Sequence, residues 1–207
     1  MSLRALQDHS AKGAAAGRDF RLKASLRWLV EFLPVARPRT IAVRTAACVV
    51  HVFTDGAREL DAVTIGACVL ECDVQPEAFG VHVPQAVVAR WRSGGAWQVI
   101  GQAELAPAMA ASAMRAHRLR DRHVIWWVDQ NAARQALTKR YSPKWESAAL
   151  IDGASQRLAS LGCDPWFTRV PSSRNPADFP SRLEWQQLEF DFPGTRRVSV
   201  ANDAWAY

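Results

Sequence analysis

Three acidic residues in this sequence sit where apolar runs end or begin. Asp55 follows the β-branched run CVVHVFT and precedes Gly56, and Asp129 closes HVIWWV. Glu104, in QAEL, opens a stretch dense in Ala, Leu and Met. A carboxylate at the tip of a run withdrawn from water needs a partner or a metal, because an isolated buried charge is costly. A cluster of hard carboxylate oxygens suits Mg²⁺ or Mn²⁺. Two such ions, about 3.5–4 Å apart, can stabilise the attacking and leaving oxygens of an in-line phosphoryl displacement. Each acid also has a bland reading. Asp55-Gly56 is a common turn, Glu104 is a favourable charge at a helix N-terminus, and Asp129 is a helix N-cap. The combination, and none of the three alone, points to chemistry.

The elements that must position these acids follow from periodicity. Residues 1–20 read as a polar, Ala-rich tail. Leu22, Leu26, Leu29, Val30 and Leu33 predict a helix over about 22–33, stopped by Pro34, with a linker to Arg39. Strands are predicted at 48–57, 63–72 and 76–85, joined by short turns as a meander. A helix over 103–120 follows, with Pro107 expected near its first turn or else bending it. A fourth strand at 123–130, helices at 132–140 and 145–162 (Gly162 as C-cap), a fifth strand at 166–171 and a short terminal helix complete the order. Three hairpin-linked strands followed by alternating helices and strands give an α/β fold with a mixed five-stranded sheet flanked by helices.

The order and the motifs together resemble the RNase H-like domain of retroelement reverse transcriptase polyproteins. VFTDGA (52–57) is similar to the first-strand motif and IGQAEL (100–105) to the helix that brings the glutamate. VIWWVDQNAARQAL (124–137) resembles the fourth strand, its aspartate and the next helix, and RVPSSRNPADFPSR (169–182) resembles the closing motif. NPAD followed by Ser-Arg looks closest to DIRS-like or gypsy-like elements, and LRWLVEFL then PRTI looks like the connection between polymerase and RNase H. The resemblance covers about residues 22–185. It implies an RNase H-like fold at 41–190, behind a tail and connection-like helix at 1–40 and before an irregular tail at 191–207. It implies a hydrolase that uses two Mg²⁺ (or Mn²⁺) ions to cut the RNA strand of an RNA–DNA hybrid, next to a reverse transcriptase portion of the same polyprotein.

By that resemblance Asp55 bridges both ions, Glu104 and Asp129 complete the inner ligands, and Asp178 holds the second ion and the attacking water. Asn175 braces its loop or touches the substrate backbone, with helix capping as the alternative. Arg174 and Asn131 join it as expected substrate contacts. The loop before Asp178 departs from the pattern. It has no histidine, and Ser172, Ser173 or Arg174 stands in that place. The spacing from Asn175 to Asp178 is also shorter than in many cellular relatives. Two other functions compete with the nuclease: an inactive nucleic-acid-binding remnant of the same fold, and a transposase or integrase core. The early position of Glu104 argues against the second, since integrase-type sites place their glutamate late.

Composition limits the partners. The net charge is +6, and residues 1–50 carry nine Lys/Arg against three Asp/Glu. A basic entry segment and the run Arg115, Arg118, Arg120, Arg122 would suit a phosphate backbone or, for the run, complement a helix dipole. Trp126 and Trp127 alternate in a strand and read as core. Trp91 or Trp97 could stack on a base, though packing is the commoner use. Four cysteines match neither a zinc pattern nor a disulfide framework and read as buried thiols in a reducing compartment. No run is apolar enough to span a membrane. The expectation is a soluble intracellular protein, cytoplasmic or nuclear, that is either a polyprotein fragment or a stand-alone remnant.

Overall fold

The computed structural model describes residues 26, 27, 29–31, 33–35, 48–93, 98–163, 165–200 and 202–205. The tail at 1–20, most of the linker after Pro34, and Trp97 lie outside the described residues. Within the expected first helix, residues 26, 27 and 29–31 are helical, and Leu33–Val35 form a 3-10 turn around Pro34.

The apolar, β-branched runs form strands β1 (Val50–Glu59), β2 (Ala62–Glu71) and β3 (Val74–His82). Helices α1 (Gln85–Arg92), α2 (Ile100–Met114) and α3 (Ala116–Leu119) follow. Next come β4 (Val124–Val128), α4 (Asn131–Lys139), α5 (Trp145–Ser160) and β5 (Trp166–Arg169). A 3-10 turn at Ser172–Arg174 leads to α6 (Asp178–Ser181), α7 (Trp185–Asp191) and the two-residue β6 (Arg196–Arg197).

The sheet has six strands in the order β5-β4-β1-β2-β3-β6. The sixth, β6, lies in the stretch expected to be irregular and pairs parallel with β3 at Glu77 and Ala78. Two residues carry no periodic signal, so only the tertiary partner reveals the strand. β1–β2 and β2–β3 are antiparallel, while β1–β4 and β4–β5 are parallel. The expected mixed sheet is present, with one more strand.

The main core lies on one face. Val50 and Val52 of β1 and Trp126 of β4 pack there with Trp91 of α1, Met109 of α2 and Ile151 of α5. α2 is buried from Gln102 through Ser112, as expected for a helix apolar on every side. Its Pro107 lies in the interior and not in the first turn, because the helix begins three residues before the expected start. Helix 103–120 is also two helices, divided at Arg115. α1 has no counterpart among the expected elements, although Val87, Val88 and Trp91 do mark its buried face. The opposite face of the sheet carries a smaller cluster, Cys68, Ala78 and Leu188, with Phe53, Phe179 and Trp185 against it. Gly162, at φ +65°, ends α5 in the left-handed conformation its position suggested. Among the described residues, no helix is long and apolar enough to cross a membrane.

Candidate active site

β1 and β4 run parallel, with Thr54 paired to Val128 as the last rung. Asp55 and Asp129 are the next residue on each strand, so strand register alone brings the two carboxylates together. Asp55 does not end its strand. β1 continues to Glu59 along β2, and it is the parallel ladder that stops. Asp55-Gly56 is therefore not a turn. Gly56 serves a close approach, since a Cβ there would collide with the Ala103 backbone of α2. Pro107 has no N–H to offer the Ala103 carbonyl, so α2 meets the strand at a point where its own ladder is interrupted. That contact brings in Glu104, and the Gly56 N–H donates to its carboxylate.

Asp55, Glu104 and Asp129 thus converge from two strands and a helix. One ligand oxygen from each lies within 4.8 Å of the others. The bland alternatives fail on geometry. Glu104 lies beyond the first turn of α2, and the N-cap of α4 is Gln130, not Asp129. Burial pushes the Asp55 carboxyl up to about 6; the Ser181 hydroxyl pulls the other way, while the charges of Asp129 and Asp178 add to the rise. Burial, then the charges of Asp55 and Asp129, push Glu104 up to about 9. Glu104 Oε2 and Asp129 Oδ1 are buried without a hydrogen-bond partner. Converging acids with orphaned oxygens fit a hard divalent cation, which would satisfy those oxygens and relieve the repulsion.

The remaining expected residues fall differently. Asp178 opens α6 outside that trio, and its Oδ1 is ion-paired with Arg182 Nε at 3.0 Å. Asn175 is buried, with its amide bonded to the backbone on both sides. Nδ2 donates to the Thr54 carbonyl at 3.2 Å and Oδ1 accepts from the Ala177 N–H. It braces the closing loop against β1. Arg174 is exposed, as is Asn131, whose Oδ1 accepts from Arg134.

Three partners of the acids had no role assigned from sequence. Ser172 Oγ donates to Asp129 Oδ2 at 2.9 Å, Ser181 Oγ to Asp55 Oδ2, and Arg182 holds Asp178. Ser181 and Arg182 were visible only as the Ser-Arg of the closing motif.

Three of the four arginines of the basic run are ion-paired with glutamates, and Arg120 is exposed. Arg115 Nη1 meets Glu77 Oε2 at 2.7 Å, Arg118 bridges Glu71 and Glu77, and Arg122 pairs with Glu71. These three guanidinium groups do more than complement a helix dipole. Trp126 is core as expected, but Trp127 is only half-buried and stacks on Phe53 at 5.6 Å. Cys68 and Cys163 are buried, whereas Cys48 and Cys72 are exposed.

No family model matches the sequence, and no curated protein matches it either. Solved structures do. RNase H1 from the halophilic archaeon Halobacterium salinarum superposes with a TM-score of 0.50 at 20% identity, covering 67% of this chain and 98% of that one. This protein has the RNase H fold. LC11-RNase H1, isolated from compost by a metagenomic approach, gives 0.49 at 10% identity, over 69% of this chain and 98% of that one. The N-terminal RNase H domain of a Mycobacterium tuberculosis protein gives 0.47 at 14%, over 68% and 99%.

Proposed function

We propose that the protein is a metal-dependent endonuclease of RNase H type that cuts the RNA strand of RNA–DNA hybrids. The observation that carries this reading is the convergence of Asp55, Glu104 and Asp129, with two buried carboxylate oxygens left unpartnered. Asp55, Glu104 and Asp129 would hold Mg²⁺ or Mn²⁺, and Asp178, released from Arg182, would contribute to a second ion. Such ions supply Lewis acidity that activates a water and steadies the leaving oxygen. The chain's own residues prepare the geometry. Ser172 orients Asp129, Asn175 ties the closing loop to β1, and the Gly56 N–H fixes Glu104. Arg174 and Asn131, exposed on the segments that carry Asp178 and Asp129, would meet the hybrid backbone. The closing motif and the connection-like helix support an origin in a retroelement polyprotein beside a reverse transcriptase.

A hybrid labelled on one strand at a time tests this, beside all-DNA duplex. RNA-strand cleavage that needs Mg²⁺ or Mn²⁺ is expected, because the 2′-OH distinguishes the strands. Equal cutting of all-DNA duplex would instead indicate a transposase-like nuclease. Binding without cutting in either metal would leave an inactive hybrid-binding module.

A further inference from the structure

Asp55, Gly66 and Gly80 form a row across three strands, paired Asp55 to Gly66 and Gly66 to Gly80. A Cβ at Gly66 would collide with the Ser181 backbone nitrogen, and one at Gly80 with the Pro180 carbonyl. Glycines inside a sheet weaken it unless another backbone must come close. Here the backbone that comes close is α6. It lies directly on bare strands, and its last residue, Ser181, is fully buried beside Asp55.

The Ser181 hydroxyl has two acceptors, Asp55 Oδ2 and, at 2.8 Å, the Asp178 carbonyl. The carbonyl alone would satisfy a helical serine, which commonly bonds back to its own preceding turn. A hydroxyl has one proton, and an ionised carboxylate takes it in the stronger, charge-assisted bond. With Oδ2 held in this way, Oδ1 is the Asp55 oxygen that an ion can take without breaking the contact.

We propose that Ser181 is a positioning residue: α6, seated on Gly66 and Gly80, delivers a hydroxyl that clamps Asp55 and presents its free oxygen to the ion shared with Glu104 and Asp129. The proposal rests on the metal-dependent reading of the site and adds to it the residue that sets the ligand's orientation. Ser181 itself touches neither ion nor substrate.

The test titrates Mn²⁺ into the full chain and reads free ion by electron paramagnetic resonance, for wild type, Ser181→Ala and Ser181→Cys. Metal-free melting reports the fold of each variant. Loss of a hydrogen bond to a charged ligand should weaken Mn²⁺ binding roughly tenfold in Ser181→Ala. Ser181→Cys, close in size but a poor donor, should lose nearly as much, and it decides the matter if the alanine variant does not fold. Hybrid cleavage should lose kcat with KM unchanged. Mn²⁺ affinity equal to wild type in the folded variants would overturn the proposal while leaving the metal site standing. Wild type that binds no Mn²⁺ would overturn both.

Discussion

Two groups of buried acids lie on this sheet and are treated in opposite ways. Toward the end of the β1–β4 ladder, Asp55, Glu104 and Asp129 face one another. Near the start of β1, Glu71 and Glu77 face Arg115, Arg118, Arg122 and Arg196. Burial pushes Glu77 up, but hydrogen bonds and charge from Arg196 and Arg115 outweigh it and hold the carboxyl below its ordinary value. Burial and the charges of Asp55 and Asp129 push Glu104 up to about 9, with no guanidinium to oppose them and only the Gly56 N–H pulling the other way. The same fold neutralises one set of acids with guanidinium groups and leaves the other crowded. Paired acids of the first kind belong to the architecture, and crowded, perturbed acids of the second kind are where functional sites cluster.

The largest effect that separates the two regions is on activity. Asp55→Asn should cost hybrid cleavage on the order of 10³-fold or more. The metal-free melting temperature should hold or rise, because a repelling charge is removed. Undiminished cleavage would remove Asp55 from the chemistry.

On stability the contrast inverts. Glu77→Ala leaves Arg115 buried without its partner and Arg118 with Glu71 alone, and should destabilise by about 3–5 kcal/mol. Glu104→Gln should leave metal-free stability unchanged or improved. Urea denaturation of both variants checks this, and equal losses would erase the distinction between the regions.

A smaller effect appears with pH. Asp55 and Glu104 have folded values of about 6 and about 9, raised from 3.8 and 4.5. Between those limits the folded state binds more protons than the unfolded one, so this cluster's contribution to metal-free stability falls as pH rises. Glu77, lowered in the fold, works in the opposite sense and loses its contribution only as acid protonates it. Divalent ions bind the deprotonated carboxylates. The rise in melting temperature on adding Mg²⁺ should therefore be larger well above pH 6 than below it, and a gain that shrinks with pH would contradict the assignment.

The smallest effect concerns substrate contact. With Arg115, Arg118 and Arg122 consumed by glutamates, phosphate contacts must come from other cations such as Arg174. Arg174→Ala should reduce the slope of log affinity against log salt by about one. Arg118→Ala should leave the slope of the folded protein alone. A slope that drops for Arg118→Ala would return the basic run to the nucleic acid.

Much of the fold and of the site is legible in the amino-acid sequence. Asp55 and Asp129 end apolar runs whose period is short-range, and Glu104 lies early in a stretch rich in good helix formers, so most strands, helices and acids can be placed along the chain. The differences arise where an element is short or its partner distant. β6 is two residues long and exists through its pairing with Glu77 and Ala78. Ser172 and Ser181 look like ordinary loop and helix residues, and they become partners of acids only once β5 and α6 are docked. Periodicity puts Pro107 near a helix start, where its missing N–H is harmless. In the structure it sits in the interior, beside the strand that Gly56 lets in.

The sequence by itself determined most of the strands and helices and which carboxylates lie close to where apolar runs end or begin, because burial period and chain stiffness are local properties. The tertiary structure alone decided which acids would be neutralised. Arg115 and Glu77 are 38 residues apart, Arg122 and Glu71 are 51 apart, and Ser181 and Asp55 are 126 apart. Whether such pairs meet depends on strand register and on how closely a helix can approach a glycine. Both are set by packing across the whole sheet, and Coulomb energy then acts only on the neighbours that packing supplies.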